Sequence, residues 1–429
     1  MKIFNHINIE KSFGIMINTV FLMLVSVLSV SLLIDSVPQK IFYLSSYLCV
    51  LIFAVKCKGI LSKRMISKDL FLLATSFFLF GLLRVLWTGF IDVRYGALSD
   101  ISSSILNDYE LSGKRFMLGS FIVMVMALYN NKISEQCLKM SKIIIWVGAV
   151  VTLYFGAKEY AMTHSRIFLT ANAPSSTAYM VIFMYCAYLW LPMLKMNNKW
   201  LIADAVLMIA IFILVILTGT RIALVAYGFI TLYQVSRHYG LLNILKPIRN
   251  RIVAVFIIIA VAFISGNRWI EAFDNLKDYD TNSSTSLGAR VAIWDSGIHF
   301  FSNHPGFNSP DVRTTTAREY IARFHPGNAE GYKNVQSNMH NELLDVATLQ
   351  GIAGLVSLLF IYFVVLRAWL NRNELKGIIM PAAALFIMGM VDTVLFFPAT
   401  TMLFIISAAL CTFTGSSNKQ HIPMLLERD

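Results

Sequence analysis

The sequence predicts an all-α polytopic membrane protein of about twelve transmembrane helices, with one large extramembrane loop between the ninth and the tenth. Three observations carry this. The 429-residue chain is 57% hydrophobic and only 14% charged, where a soluble domain has about 25% charged residues, and its mean hydropathy is +0.65. Its apolar residues fall in blocks approaching or reaching the roughly 17–25 residues that cross a bilayer. No block shows the two-residue alternation of a barrel strand, and lipid satisfies no backbone polar group, so the spans must be helices.

Taken in order, the expected spans are 13–34, 41–56, 69–87, 115–130, 143–157, 176–194, 201–217, 222–236, 252–266, 352–369, 378–397 and 400–415. The first lacks a small-residue cleavage site and runs into DSVPQK, so it reads as a retained helix and not a signal peptide. Several are short, which calls for tilt, extension into flanking residues or partial re-entry. Lysine and arginine set the orientation. With the N-terminus inside, the cytoplasmic segments and their span ends hold 21 of the 36 basic residues, most clearly KCKGILSKRMISK and RHYGLLNILKPIRNR. Both termini are therefore expected in the cytoplasm. The same bias explains the net charge of +12: most of it is topogenic, and no nucleic-acid partner is needed. The chain divides into spans one to nine (1–266), an outer loop (267–351), spans ten to twelve (352–416) and a cytoplasmic tail (417–429). The outer loop is periplasmic if the source is Gram-negative.

That loop is too small and too polar for a separate domain. Its TNSSTS, NHPGFNSP and HPGNAEG stretches are rich in turn residues, and long ordered loops commonly cap a functional site. In SLGARVAIWDSGIHFF, residues Leu287, Val291, Trp294, Ile298 and Phe301 recur at helical spacing. Such a helix would rest on the membrane surface or on the tops of the spans. Arg290 lies about 60° off the stripe at 100° per residue. A second, less regular helix is expected in DVRTTTAREYIARF.

The five cysteines, Cys49, Cys57, Cys137, Cys186 and Cys411, avoid the expected outer loops and form no CxxC or Cys/His cluster, so neither a disulfide nor a zinc site is expected. Without a Walker loop, a GxGxxG or a Mg²⁺-binding acidic pair, the expectation is of no cofactor and no metal.

Three features converge on the outer face. Spans seven and eight are joined by almost nothing, so Thr218, Gly219, Thr220 and Arg221 of LTGTRIALVA must form a hairpin. Arg221 either snorkels as a helix-end marker or grips a phosphate bidentately, for which guanidinium is the best-suited side chain; an outer arginine runs against the positive-inside bias. Arg290 is either a solvated flank residue or a second clamp on a membrane-bound anion. His340, at the end of the loop, is either merely exposed or a general base, since neutral imidazole can take a proton from an alcohol. Asn341, Asp345, Gly351 and Gly354 follow it; in a helix over 338–350, Asn341 and Asp345 share its face only in part. His299, His304 and His325 rank lower. Asp392 in MGMVDTVLFFP and Arg84 in LLRVLW lie near outer span ends, where a charge is expensive unless paired, and are read as supporting residues.

The spacing His340-Asn341, nine residues, Gly351-x-x-Gly354-Leu355, after TGTR and a large outer loop, resembles the O-antigen ligase/polymerase superfamily, and within it the lipopolysaccharide O-antigen ligases of enteric bacteria. TGTR alone carries little; in combination, in order and on one side of the membrane, the motifs are fairly specific. The resemblance implies a lipid-carrier-dependent (GT-C-like) glycosyltransferase architecture in the bacterial inner membrane. It implies transfer of a polysaccharide from undecaprenyl pyrophosphate, the donor, to a sugar hydroxyl of lipid A–core, the acceptor, on the periplasmic face. It also implies that Arg221 and Arg290 serve the pyrophosphate and His340 the acceptor. Such a transfer would need no metal and would invert the anomeric carbon. An O-antigen polymerase is the nearest alternative. A lipid-linked sugar transporter, which would call for charges or broken helices at the bilayer midplane, is the more distant one.

Overall fold

The computed structural model describes residues 2–62, 66–191, 198–239, 285–371 and 375–413. The expected ninth span (252–266), the loop up to residue 284 and the tail 417–429 lie outside the described residues. Among those described, every regular element is helical: α1 (Lys2–Val30), α2 (Val37–Ser62), α3 (Lys68–Tyr95), α4 (Asp100–Leu128), α5 (Glu135–Thr163), α6 (Pro174–Trp190), α7 (Asn198–Thr218), α8 (Arg221–Tyr239), α9 (Ser286–Asn303), α10 (Pro310–Phe324), α11 (Ala329–Asn334), α12 (Glu342–Leu370), α13 (Ile379–Gly389) and α14 (Pro398–Leu410). Among the described residues, six stretches are long and apolar enough to cross a membrane: Ser12–Val30, Val37–Cys57, Lys68–Tyr95, Asp100–Leu128, Glu135–Thr163 and Glu342–Leu370. Shorter apolar helices cover Ala203–Thr218, Lys376–Gly389 and Pro398–Leu410. The chain is thus an all-helical, multi-pass membrane protein.

Helix starts follow from local chemistry. Ser67, Ser99 and Ser134 each accept a backbone N–H of the first turn of α3, α4 and α5 through their hydroxyls, satisfying donors that a helix leaves without intrahelical partners. α3 and α4 pack against each other where glycines meet: a Cβ on Gly81 would sit 2.5 Å from the Gly113 carbonyl oxygen. Small residues let backbones approach this closely in membranes. α6 from Ser176 and α14 from Thr400 are buried on every side, as central helices are. Asp204 of α7 is not isolated. It accepts the Tyr188 hydroxyl, and the Lys142 ammonium lies 3.7 Å from it.

Three expected boundaries move. α4 begins at Asp100, not 115, because its first turns, DISSSILNDYELSGK, are amphipathic and escape a hydropathy block. The expected eleventh span, 378–397, leaves regular helix after Gly389, and residues 390–397 run irregularly to α14. The tenth does not open at 352. α12 starts ten residues earlier, at Glu342, and is broken internally at Gly351 (φ 63°, ψ −157°).

The loop helices α9, α10 and α11 share a small core of Ala292, Ile293, Ala317, Ile321, Val335 and Met339, closed by Trp294 and by Leu344 of α12. α9 does not bury the stripe its spacing suggested. Its buried face is Gly288, Ala289, Ala292, Ile293, Ser296, Gly297 and Phe300, while Ile298 is 59% exposed and Val291 37%. Close packing selects the small side: a Cβ on Gly297 would lie 2.8 Å from Leu344.

Candidate functional site

The site is assembled where the loop helices meet the start of α12. Asn341 is the N-cap of α12, its side chain accepting the Leu344 N–H at 3.1 Å and donating to the Met390 carbonyl at 3.0 Å. His340 stands one residue earlier, outside the helix, with φ 46°. This left-handed conformation is uncommon for a residue with a side chain, and histidine is among those that tolerate it best. It is held from several directions. Trp294 Nε1 donates to the His340 carbonyl (3.1 Å), the His340 N–H donates to Asn338 Oδ1 (2.9 Å), and the Met339 N–H donates to Asp345 (2.9 Å). The expectation of a helix through 338–350 is corrected here. Because the turn at His340 precedes the cap, neither Asn341 nor Asp345 shares a helical face with the imidazole.

The imidazole Nδ1 lies 3.4 Å from Asp392 Oδ1. Asp392 in turn accepts the Tyr179 hydroxyl at 2.7 Å and the Thr393 N–H at 2.9 Å. Arg290 is close enough to the Tyr179 phenol to act on it electrostatically. A cavity of about 300 Å³ is lined by Ser286, Ala289, Arg290, Ile293, Glu330, Asn334 and His340. The structure thus brings Arg290 and His340 to one cavity and puts Asp392 behind the imidazole. In the tautomer that carries its proton on Nδ1, towards the carboxylate, the ring would present its Nε2 lone pair as a base, and the carboxylate would stabilise the imidazolium formed by protonation.

Arg221 is not among the residues lining this cavity. It opens α8 directly after the α7–α8 turn, in which Gly219 adopts φ 64°. Arg166, which sequence reading passed over, braces that turn: its Nε donates to the Thr218 carbonyl at 2.8 Å and its Nη2 lies 3.5 Å from the Thr220 hydroxyl. The 166–173 segment then links the turn to α6, the helix of Tyr179, because Thr177 Oγ1 donates to the Phe168 carbonyl at 2.6 Å. The hairpin and the cavity therefore occupy the same end of the bundle.

Arg84 and Asp345 are structural ties. Arg84, fully buried, donates to Ser112 Oγ and the Leu395 carbonyl, both at 2.7 Å, and pairs with Glu342 at 3.4 Å. Its guanidinium stacks on Phe80 and Tyr109, at 4.5 and 4.6 Å from the ring centroids. Glu342 also accepts the Leu395 N–H at 2.8 Å. Asp345 is bound by Arg313 (2.8 Å), by the Tyr109 hydroxyl and by the Met339 N–H. These pairs fasten α12, the His340 turn and α10 to α3 and α4. Farther out, Asp311 of α10 accepts from the Ser99 hydroxyl at 2.6 Å, the Ser102 hydroxyl at 2.7 Å and the Ser99 N–H at 3.1 Å. Burial alone would raise its pKa, but these three hydrogen bonds outweigh that and hold the carboxyl below its ordinary range.

Arg313, Glu342, Tyr109 and Tyr179 were not singled out from sequence, and Trp294 only as one of an apolar stripe. Glu342 carried a signal, an acid one turn from an apolar run; the others are ordinary loop or span residues until the fold pairs them.

Gly351 explains part of the glycine spacing. Its φ and ψ fall in a region essentially restricted to glycine, and a Cβ there would lie 2.2 Å from the Pro305 carbonyl oxygen and 2.6 Å from that of Gly306. The 305–308 loop fills the break. The Ile352 N–H donates to Pro305 at 3.0 Å, and the Asn308 N–H donates to the Leu349 carbonyl at 2.9 Å. At Gly354 a Cβ would sit 2.4 Å from that of Gln350.

Fold and site together give a multi-pass membrane protein in which an imidazole, backed by a carboxylate, shares a cavity with an arginine. The chain is similar to O-antigen ligases over part of its length by family model and over most of it by one curated relative. The O-antigen ligase family model matches residues 205–359, a stretch that holds Arg221, Arg290, His340, Gly351 and Gly354. The O-antigen ligase of Escherichia coli (strain K12) is 25% identical over 362 residues, covering 81% of this chain and 82% of that protein.

Proposed function

We propose that this protein transfers O-antigen polysaccharide from undecaprenyl pyrophosphate to a sugar hydroxyl of lipid A–core, at the periplasmic face of the bacterial inner membrane. The observation that carries the reading is His340, backed by Asp392, opening with Arg290 onto one cavity in a chain similar to O-antigen ligases. The acceptor oxygen attacks the anomeric carbon as His340 takes its proton, and the bond from that carbon to the pyrophosphate oxygen breaks. Undecaprenyl pyrophosphate leaves with the bonding electrons, and the charge that develops on it is offset by Arg290 and Arg221. A single displacement inverts the anomeric centre. The lysine and arginine distribution supports cytoplasmic termini.

Purified protein in nanodiscs, given lipid-linked polysaccharide and lipid A–core with EDTA and no nucleotide, is expected to form capped lipopolysaccharide. Transfer that stops on chelation and returns with Mg²⁺ would sink the metal-free arginine clamp. A deletion strain is expected to lack O-antigen on lipid A–core while still making lipid-linked polymer. Loss of the polymer itself would identify a polymerase instead.

A further inference from the structure

Tyr179 is coupled to both charged groups of the site without lining the cavity itself. It belongs to α6, is 1% exposed, and its hydroxyl donates to Asp392 Oδ2 at 2.7 Å. The other carboxylate oxygen, Oδ1, accepts the Thr393 N–H at 2.9 Å and lies 3.4 Å from His340 Nδ1. The two oxygens are thus divided: one faces the imidazole, and the other is occupied by a phenol. Arg290 is close enough to that phenol to act on it electrostatically. Yet among the described residues the one ion-pair contact of Asp392 is with His340. A guanidinium and a carboxylate that share a neighbour in a low-dielectric interior attract each other strongly. Another arginine of the loop helices shows the outcome when a carboxylate oxygen is open to it: Arg313 binds Asp345 at 2.8 Å and serves as a fixed tie.

We infer that Tyr179 is a positioning residue: its phenol fills the second oxygen of Asp392 with a neutral donor, which keeps the carboxylate on His340 and leaves Arg290 to the anionic donor substrate. The inference deepens the proposed transfer and rests on it. A phenol suits what this position requires. A buried carboxylate oxygen without a donor is costly. A cation placed there would satisfy it, but would offset the charge that stabilises the imidazolium and, if it were Arg290, would draw the guanidinium off the phosphate. The tyrosine hydroxyl donates one hydrogen bond and brings no charge. With Oδ2 held, Oδ1 is the oxygen left to meet Nδ1, so the same contact sets the rotation of the carboxylate. The phenol is itself fixed by its helix. α6 is buried on every side from Ser176, and Thr177 ties its first turn to the Phe168 carbonyl at 2.6 Å. Tyr179 thus acts through Asp392 and is not among the residues lining the cavity.

The test uses full-length protein in nanodiscs, with lipid-linked polysaccharide as donor and lipid A–core as acceptor. Tyr179→Phe keeps the ring and removes the hydroxyl. It is expected to lower kcat about 10- to 100-fold, the size of a lost hydrogen bond to a charged group, and to raise the Kd for donor, read by binding without acceptor, about tenfold, with the KM for lipid A–core within about twofold. Asp392→Asn removes the charge that would draw Arg290 away. In that background Tyr179→Phe is expected to cause no further fall in kcat and no loss of donor affinity, because residues that act through one group are not additive. A phenol that merely packs α6 would instead lower donor and acceptor parameters together with thermal stability, and equally in both backgrounds. That result, or an unchanged kcat or donor affinity in Tyr179→Phe, would overturn the positioning role. A wild-type protein that transfers nothing to lipid A–core would overturn the functional reading, and the donor-binding comparison would then still decide whether Tyr179 keeps Arg290 from Asp392.

Discussion

At the scale of single residues, His340 combines a reactive side chain with a costly backbone. A non-glycine residue at positive φ costs about 1–3 kcal/mol and persists where its surroundings over-determine it, as Trp294, Asn338 and the Met339–Asp345 contact do here. This separates chemistry from folding experimentally. His340→Ala is expected to reduce transfer about 10²- to 10⁴-fold, the usual contribution of a general base. His340→Asn should do the same, although asparagine accepts the left-handed turn readily. Asparagine restoring activity would mean that the turn, and not the imidazole, is what function needs. Arg84 calls for a different outcome. Removing it leaves Glu342 without its ion-pair partner in the bundle interior, and breaking a buried pair costs about 3–5 kcal/mol. Arg84→Ala should therefore lower protein yield and thermal stability in detergent together with activity, and normal stability with lost transfer would return Arg84 to the substrate.

At the scale of elements, the informative one is α12. Hydropathy marks its apolar half from 352 onward, and the preceding ten residues look like loop because they carry Glu342 and Asp345. They are helical because both acids are neutralised by partners far away in sequence: Arg84 for one, Arg313 and Tyr109 for the other. No local pattern reports such pairs. The spacing of α9 misleads for a related reason. Val291 and Ile298 of the expected stripe face outward, since at Gly297 the contact with Leu344 and Met339 leaves no room for a side chain. Gly351 was visible as a motif, and the break explains why. Gly351→Ala forces a side chain into the Pro305 and Gly306 carbonyls and into a conformation alanine avoids. It should displace the 305–308 loop, lowering stability and transfer together, and faster hydrogen exchange at the Asn308 and Ile352 amides would mark the place. Exchange at those amides indistinguishable from wild type would show that the break does not depend on the glycine.

At the scale of the molecule, what was legible follows what the bilayer enforces. Long apolar helices and the tight α7–α8 hairpin come from chemistry that acts within about twenty residues, and their positions were readable; the site depends on contacts such as His340–Asp392, 52 residues apart, and Tyr179–Asp392, 213 apart, and could be named only through motif order. Arg221 marks the remaining distance. It stands at the hairpin braced by Arg166, at the same end of the bundle as the Arg290–His340 cavity but outside its lining. If both arginines act on one pyrophosphate, a long diphosphate and its lipid must bridge hairpin and loop. The two substitutions would then not act independently, because residues sharing a partner couple while distant ones add. Arg221→Ala and Arg290→Ala should each cripple transfer, Arg→Lys at either should rescue only in part because lysine lacks the planar fork, and the double variant should lose less than the product of the single losses. Strict multiplicativity in kcat/KM for the donor would mean that the two guanidiniums serve separate groups, and the single clamp would have to be abandoned.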